Sequence, residues 1–313
     1  MVSMFRYEVA SFLSKNMIEY RISDGYIVIS GHKIVLSLMD INPELRLERS
    51  DEPGRELKSG SIAGDGYKQF TIYEDLWFTK GNIVRNRLLA NFGMGERIFA
   101  RRCRVGKINA ETAKKFLEAN HLIGDARSVF RYGLFYGEEL VSVATFSASR
   151  PMERHGKVVR SYEWVRYANR SALRIVGGMG KLLNHFVVVE KPDEVMSYAD
   201  IDWSDGDVYR KLGFKQIGET SPVMFYVNSD TYERIPGKKL LRDKKYIVAD
   251  NDSVQGDMKE KTLQDNPAEE NLDNNMQEKF PPRENLPKNL PLGRYISIFN
   301  SGNLKFLKSF SIL

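Results

Sequence analysis

Apolar positions along the chain change period several times, and each change marks an element. Met4 to Lys15 reads as a helix, followed by extended runs at Ile18 to Ile22, Tyr26 to Ile29 and Lys33 to Met39. Residues 50–66, rich in Ser, Gly, Asp and Glu, predict a loop. Phe70 to Tyr73 is a strand that runs on into Glu74-Asp75-Leu76-Trp77, and a helix covers Lys80 to Asn91 before Phe92-Gly93-Met94-Gly95 ends it. Ile98 to Val105 reads as one strand with basic residues on its exposed side, and Asn109 is placed to cap a helix from Ala110 to Asn120. Strands at Val129 to Tyr136 and Glu139 to Phe146 flank Gly137-Glu138, a hairpin signal.

Ser161 to Ala168 gives another strand, and the helix from Gly178 to Val189 gathers Leu182, Leu183, Phe186 and Val187 on one face. A strand then ends at Tyr198 and Asp200, the chain turns through Gly206, a short helix runs from Asp207 to Leu212, and Gly213-Phe214 opens a further strand. The fold class is α/β of the α+β kind: a mixed sheet with flanking helices, preceded by a small α/β unit. Residues 230–291 are charged and proline-bearing and predict a flexible excursion, after which Gly293 to Phe299 reads as a late strand adding to a sheet.

Composition narrows the classes. A length of 313 residues suits two modest domains, and no apolar run approaches the roughly 20 residues of a membrane span. The start of the chain lacks signal-peptide character, so a cytoplasmic location is expected. Cys103 is the single cysteine, which excludes an intrachain disulfide and a thiolate zinc cluster. Net charge is +6, yet residues 250–290 hold ten acidic and five basic side chains, so the remainder is more basic than the total suggests. Lys80 to Lys107 holds eight Lys or Arg against Glu96 alone. Such a field attracts a polyanion; double-stranded DNA is the expected partner, with Lys80, Arg85, Arg87, Arg101, Arg102, Arg104, Arg150 and Arg154 as contacts. A solvated helix face is the competing reading.

The small residues of Arg174-Ile-Val-Gly-Gly-Met-Gly-Lys181 precede an amphipathic run, so backbone N–H groups at a helix start could meet a phosphate. Alternation places Tyr162, Trp164 and Arg166 on one strand face, either as a platform for an extruded base or as core. His121 reads better as a structural hydrogen-bonding residue than as a base, and His155 lies in a basic turn suited to a DNA-backbone contact.

From about residue 97 to 228 the order hairpin, strand, glycine-rich helix, strand, short helix, strand resembles the GNAT acyltransferase fold. Phe116-Leu-Glu-Ala-Asn-His-Leu-Ile-Gly124, Val176-Gly-Gly178, Lys181-Leu-Leu183, Ser197-Tyr-Ala-Asp200, Tyr209-Arg-Lys-Leu-Gly-Phe214 and Gly302-Asn-Leu-Lys-Phe306 resemble phage proteins of the Mom type and the GNAT-like half of phage homing-endonuclease-like proteins. The resemblance implies a GNAT-like domain at 97–229, with 292–313 contributing a strand. It implies acyl-CoA held by Arg174, Gly177, Gly178, Gly180 and Lys181, and transfer to a DNA base or amine. Asp200 would orient the amine or act as base, Tyr209 would protonate the leaving thiolate, and Tyr198 stands beside them. The glycine loop departs from the family's Gln/Arg-x-x-Gly-x-Gly/Ala pattern in both registers, ending in Met179 in one and holding Ile175 where Gln or Arg belongs in the other.

The amino-terminal half, through Ile72-Tyr-Glu-Asp-Leu-Trp77, Lys80, Ile83-Val-Arg85 and Ala100-Arg-Arg-Cys-Arg104, resembles the nuclease part of those phage proteins, which implies a restriction-endonuclease-like domain of the very-short-patch-repair kind at 1–96. That implies Mg²⁺ on Asp24, Glu74 and Asp75 if cleavage survives, but Ile34 to Met39 lacks the acid such a site needs. A degenerate nuclease half is therefore expected. A metal-dependent endonuclease and a non-catalytic DNA-binding protein stand as the alternatives to DNA modification.

Overall fold

The computed structural model describes residues 3–42, 66–237 and 294–310. Nearly all of the loop expected at 50–66, and most of the excursion expected at 230–291, lie outside the described residues.

Helix α1 (Met4–Lys15) starts at Ser3, whose hydroxyl accepts from the Arg6 amide, and it buries Phe5, Val9 and Leu13. These pack on a four-stranded sheet ordered β1 (Arg21–Ser23), β2 (Tyr26–Ile29), β3 (Ile34–Met39), β4 (Lys68–Tyr73), with β3 and β4 parallel. The strand expected at Phe70 to Tyr73 ends at Tyr73. Helix α2 (Glu74–Thr79) begins directly after it, its first turn carrying Glu74 and Asp75, where carboxylates complement the N-terminal end of the helix dipole. Helix α3 (Gly81–Asn91) follows and buries Ile83, Val84 and Leu88.

The strand expected at Ile98 to Val105 is broken. β5 (Glu96–Phe99) and β6 (Arg104–Lys107) are separated by a helical turn at Ala100–Arg102, because the Lys181 ammonium donates to the carbonyls of both Ala100 and Cys103. Helix α4 (Ala110–Asn120) is capped by Asn109, whose side chain accepts from the Thr112 amide at 2.8 Å. Then come β7 (Phe130–Tyr136), β8 (Glu139–Phe146), β9 (Arg150–Arg154), β10 (Lys157–Asn169), β11 (Leu173–Val176), α5 (Gly178–Glu190), β12 (Glu194–Asp200), α6 (Asp207–Lys211), β13 (Lys215–Glu219), β14 (Met224–Asn228), β15 (Arg234–Pro236), β16 (Tyr295–Phe299) and β17 (Asn303–Ser309).

The large sheet runs β13-β17-β12-β10-β8-β7-β6, with β9 paired to β10. Its one parallel pair is β10 with β12; the other pairings are antiparallel. Helix α5 covers one face through Leu182, Leu183 and Phe186, and the Phe186 ring stacks 3.9 Å from that of Phe146. Helix α4 covers the other through Ala113 and Leu117 against Val143 and Ala168. β11 leaves this sheet to pair in parallel with β5.

Between β13 and β17 the chain builds a second small sheet, β15-β14-β16. The late strand foreseen at Gly293 to Phe299 falls in β16 of this sheet, whereas β17 enters the large sheet between β12 and β13. The small sheet sets Val227 and Ile298 against Ile41 and Tyr73 of the amino-terminal unit. Arg234 forms a two-pronged ion pair with Asp75 at 2.6 and 2.7 Å, the Asp75 side chain having no exposure. Trp203 and Leu122, from loops of the large sheet, are buried in the core of the amino-terminal unit. The two halves of the chain thus share packing.

Candidate functional site

β10 and β12 run side by side only from Ser161 to Trp164 and from Glu194 to Ser197. Beyond that point they part. β10 stays bonded to β8 through Asn169 on one side, while β12 stays bonded to β17 through Asp200 on the other. A bulge between Trp164 and Arg166 starts the parting. It also reverses the alternation foreseen for this strand. Tyr162 and Trp164 are core residues, 6% and 3% exposed, and Tyr167 joins their cluster in place of Arg166. The expected aromatic platform for an extruded base is therefore buried among Phe146, Phe186 and Tyr209.

At the apex of the gap the Ser197 hydroxyl donates to the Trp164 carbonyl at 3.1 Å. Tyr209 Oη lies 2.9 Å from Ser197 Oγ and 3.4 Å from the Tyr198 carbonyl oxygen. The Tyr209 ring is fixed by stacking on Phe306 at 5.0 Å and by edge contacts with Phe214 and Trp164. Burial raises its pKa and the bond with Ser197 opposes this, so the phenol stays protonated at neutral pH. Tyr198 is likewise raised, by burial first and then by Glu163.

Strand alternation divides the groups. Val195 and Ala199 belong to the core beneath α5, so Tyr198 and Asp200 lie on the opposite face. Asp200 Oδ1 accepts from the Asp202 amide at 3.0 Å, as a turn-forming aspartate does. Burial raises its pKa, with Arg87 the largest opposing influence. On the same face Arg166 donates to the Gly124 carbonyl at 3.2 Å, and His121 Nδ1 accepts from the Ile123 amide at 3.3 Å.

On the α5 face, an open cavity of about 520 Å³ is lined by Phe99, Ala100, Arg101, Val176, Gly177, Gly180, Lys181 and Asn184. Gly177 caps α5 at φ 79°, and a Cβ on Gly178 would meet the Tyr167 hydroxyl at 2.6 Å. Gly178 is thus buried against Tyr167 and Ile175, with no room there for a side chain. Three of the residues expected to hold a cofactor are placed differently: Gly178 faces the core and does not line the cavity. Lys181 spends its ammonium on the carbonyls of Ala100 and Cys103, and Arg174 is exposed on β11 opposite Arg97, away from the cavity lining. Arg101, assigned from sequence to DNA, is the guanidinium at the cavity wall. Only the pairing of β5 with β11, which sequence spacing does not reveal, brings it there.

The basic residues disperse. Arg85 lies over Trp77 at 4.4 Å and pairs with Glu8, Arg154 pairs with the buried Glu194, and Arg87 lies over Trp203 at 5.0 Å. Lys80 is half-buried at the start of α3, and Arg150 is exposed on β9, whose hairpin turns at His155 and Gly156. Arg101, Arg102 and Arg104 are exposed and lie over Phe99, Tyr136 and Phe135.

The acids suspected of binding a metal are not brought together. Asp24 and Gly25 form the tight turn of the β1–β2 hairpin, both at positive φ, on the far edge of the small sheet from β4. Glu74 accepts from the Ile41 amide at 2.7 Å, and Asp75 holds Arg234. Among the described residues no group of three His, Cys, Asp or Glu is placed to hold a metal ion. Cys103 is buried, its thiol pushed up by desolvation. Among the described residues no helix is long and apolar enough to cross a membrane.

No protein-family model matches the chain, and no curated protein matches it. Among solved structures it is similar to a protein of unknown function from Enterococcus faecalis described as a probable N-acyltransferase. Identity there is 16% over 41% of this chain and 35% of that one, at a TM-score of 0.30. It is similar to a Bacillus subtilis acetyltransferase in complex with CoA, at 12% identity over 67% of this chain and 99% of that one, TM-score 0.31. A KacTA–DNA complex matches at 20% identity over 44% of this chain and 94% of that one, TM-score 0.28. The chain spans about a third of the length of the Enterococcus protein.

Proposed function

We propose that the chain is an N-acyltransferase of the GNAT type, taking an acyl-CoA donor and an amine acceptor. The observation that carries this reading is the parting of β10 from β12, with Tyr209 at the apex on one face and Asp200 on the other. The element order behind the sequence resemblance is also the order in which the large sheet is built.

The amides at the start of α5 and Arg101 would meet the donor's phosphates beside the open cavity, because helix-start N–H groups and a guanidinium both favour anions. The thioester would lie along the gap. The amine lone pair attacks the thioester carbonyl carbon, the C–S bond breaks, Tyr209 gives its proton to the departing thiolate sulfur, and Asp200 takes the proton lost by nitrogen. Burial suits both roles, since it keeps the phenol protonated and makes the carboxylate more basic. Tyr209→Phe removes the acid while keeping the ring stack on Phe306. Calorimetry should show acetyl-CoA binding retained, with thiol release across a panel of amines slowed by roughly a hundredfold or more. Absence of saturable acetyl-CoA binding to the unaltered chain would refute the assignment.

A second reading keeps double-stranded DNA as acceptor or partner. It is favoured by Arg101, Arg102 and Arg104, which stand exposed on neighbouring aromatic rings. Changing Arg102 and Arg104 to Gln should weaken duplex binding and lower its salt dependence by up to two counterions. An unchanged salt slope removes these residues from any DNA contact.

A further inference from the structure

We propose that the amino-terminal unit is a wall of the acceptor side of the parted strands, and that its Arg87 is a positioning residue acting on the acceptor through Asp200. This rests on the acyltransferase reading, and it gives β4 and α3 of the amino-terminal unit a part in the site in place of a remnant nuclease role.

The turn after β12 is held from three directions. Trp203, 8% exposed, donates its amide to the Asp200 carbonyl at 3.1 Å, and its ring stacks on Phe70 of β4 at 5.7 Å. The Thr71 amide donates to the Asp202 carbonyl at 2.9 Å, and the Tyr73 hydroxyl donates to the Asp202 carboxylate at 3.1 Å. From the inserted sheet's end, the Ser301 hydroxyl donates to the other Asp202 oxygen at 2.6 Å. Across the gap the loop after α4 sends Leu122 into the same amino-terminal core. Both the turn after β12 and the loop after α4 are therefore anchored in the amino-terminal core, the turn on β4 and α3.

Arg87 projects from α3 into this crevice with its guanidinium over the Trp203 ring. Protein surrounds it, and part of the side chain keeps solvent contact. Among the described residues its guanidinium makes no hydrogen bond, and its pKa is lowered by burial with Asp200 as the compensating charge. The groups acting on Asp200 are Arg87 from α3, Arg234 from β15 and the Asp202 amide. His121 and Arg166 stand next, both with lowered pKa values, and His121 feels Arg87 directly. Arg87, seated over the Trp203 ring whose amide holds the Asp200 carbonyl, thus stands beside the Asp200 turn as a positive charge that favours the ionised carboxylate.

The test is carboxyl NMR of the full chain labelled with ¹³C-aspartate, the Asp200 signal being identified by its loss in Asp200→Asn. Arg87→Met should raise the Asp200 titration midpoint by about one pH unit, a tenfold change in protonation ratio. Arg87→Lys should restore most of the difference. An unchanged midpoint in Arg87→Met overturns the proposal. If that variant does not fold, Arg87→Gln carries the test through the same upward shift, and an unchanged midpoint in it overturns the proposal. Acetyl-CoA binding measured on the same samples reports on the acyltransferase reading separately, because the donor lies on the opposite face.

Discussion

Replacing Asp75 with alanine should lower the unfolding free energy by about 3–5 kcal/mol, the usual consequence of leaving one member of a buried ion pair alone. The Arg234 guanidinium would remain, 16% exposed, between the rings of Tyr73 and Phe225 at 4.6 and 5.1 Å, with no carboxylate to replace the water it gave up. Cation–π contact recovers only part of that loss. Urea unfolding read by tryptophan fluorescence gives the number, and the pair variant Asp75→Ala with Arg234→Met should regain much of it, because an apolar pair in the same space needs no desolvated charge. The experiment also separates two views of this acid. A carboxylate kept for metal chemistry is commonly held at a cost to stability, so its removal would leave stability unchanged or increased. A loss below about 1 kcal/mol would show that Asp75 does not fasten the inserted sheet to α2.

The contrast between Asp75 and Asn109 shows what the sequence could disclose. Asn109 acts on Thr112, three residues away, so its role as a cap is visible in spacing alone. The hairpin of β7 and β8 is equally local, its turn marked by Gly137. Asp75 meets Arg234 across 159 positions of sequence, and Tyr73 meets Asp202 across 129. No periodicity records such a pairing, so the acids of α2 were open to being read as metal ligands. The same distinction holds in the site. The run from Ser197 to Phe214 displays Tyr198, Asp200 and Tyr209 because strand, turn and short helix are consecutive. Arg87 looked like one more member of a basic helix, since the crevice around it exists only once α3 packs beside Trp203. The bulge at Trp164 and Arg166 was hidden for another reason: strict alternation is the default expectation for a strand, and one extra residue turns every later side chain over.

Acid should weaken this protein through His121, and the sign follows from its surroundings. Burial, then Arg87 and Arg166, bring its pKa down to about 3 from an ordinary value near 6.5. The Ile123 amide donates to Nδ1, so that nitrogen must keep its lone pair in the folded state. Between these two values the unfolded chain takes up a proton that the folded chain refuses. Stability is therefore full above about pH 6.5 and is lost as pH falls toward 3, at up to about 1.4 kcal/mol per pH unit. Asp200 and Glu74, whose pKa values are raised, contribute with the opposite sign, since the folded chain binds their protons first. They are common to the unaltered chain and to His121→Asn, so the difference between the two isolates the imidazole. Asparagine keeps an acceptor for the Ile123 amide and cannot be charged. Its cost at pH 7 should shrink steadily as urea unfolding is repeated at pH 6, 5 and 4, and the variant should become the more stable protein in acid. Parallel stability curves over that range would mean that His121 is protonated as readily in the folded chain as in the unfolded one. They would also mean that the positive field of Arg87 and Arg166 is already neutralised by the carboxylates beside it.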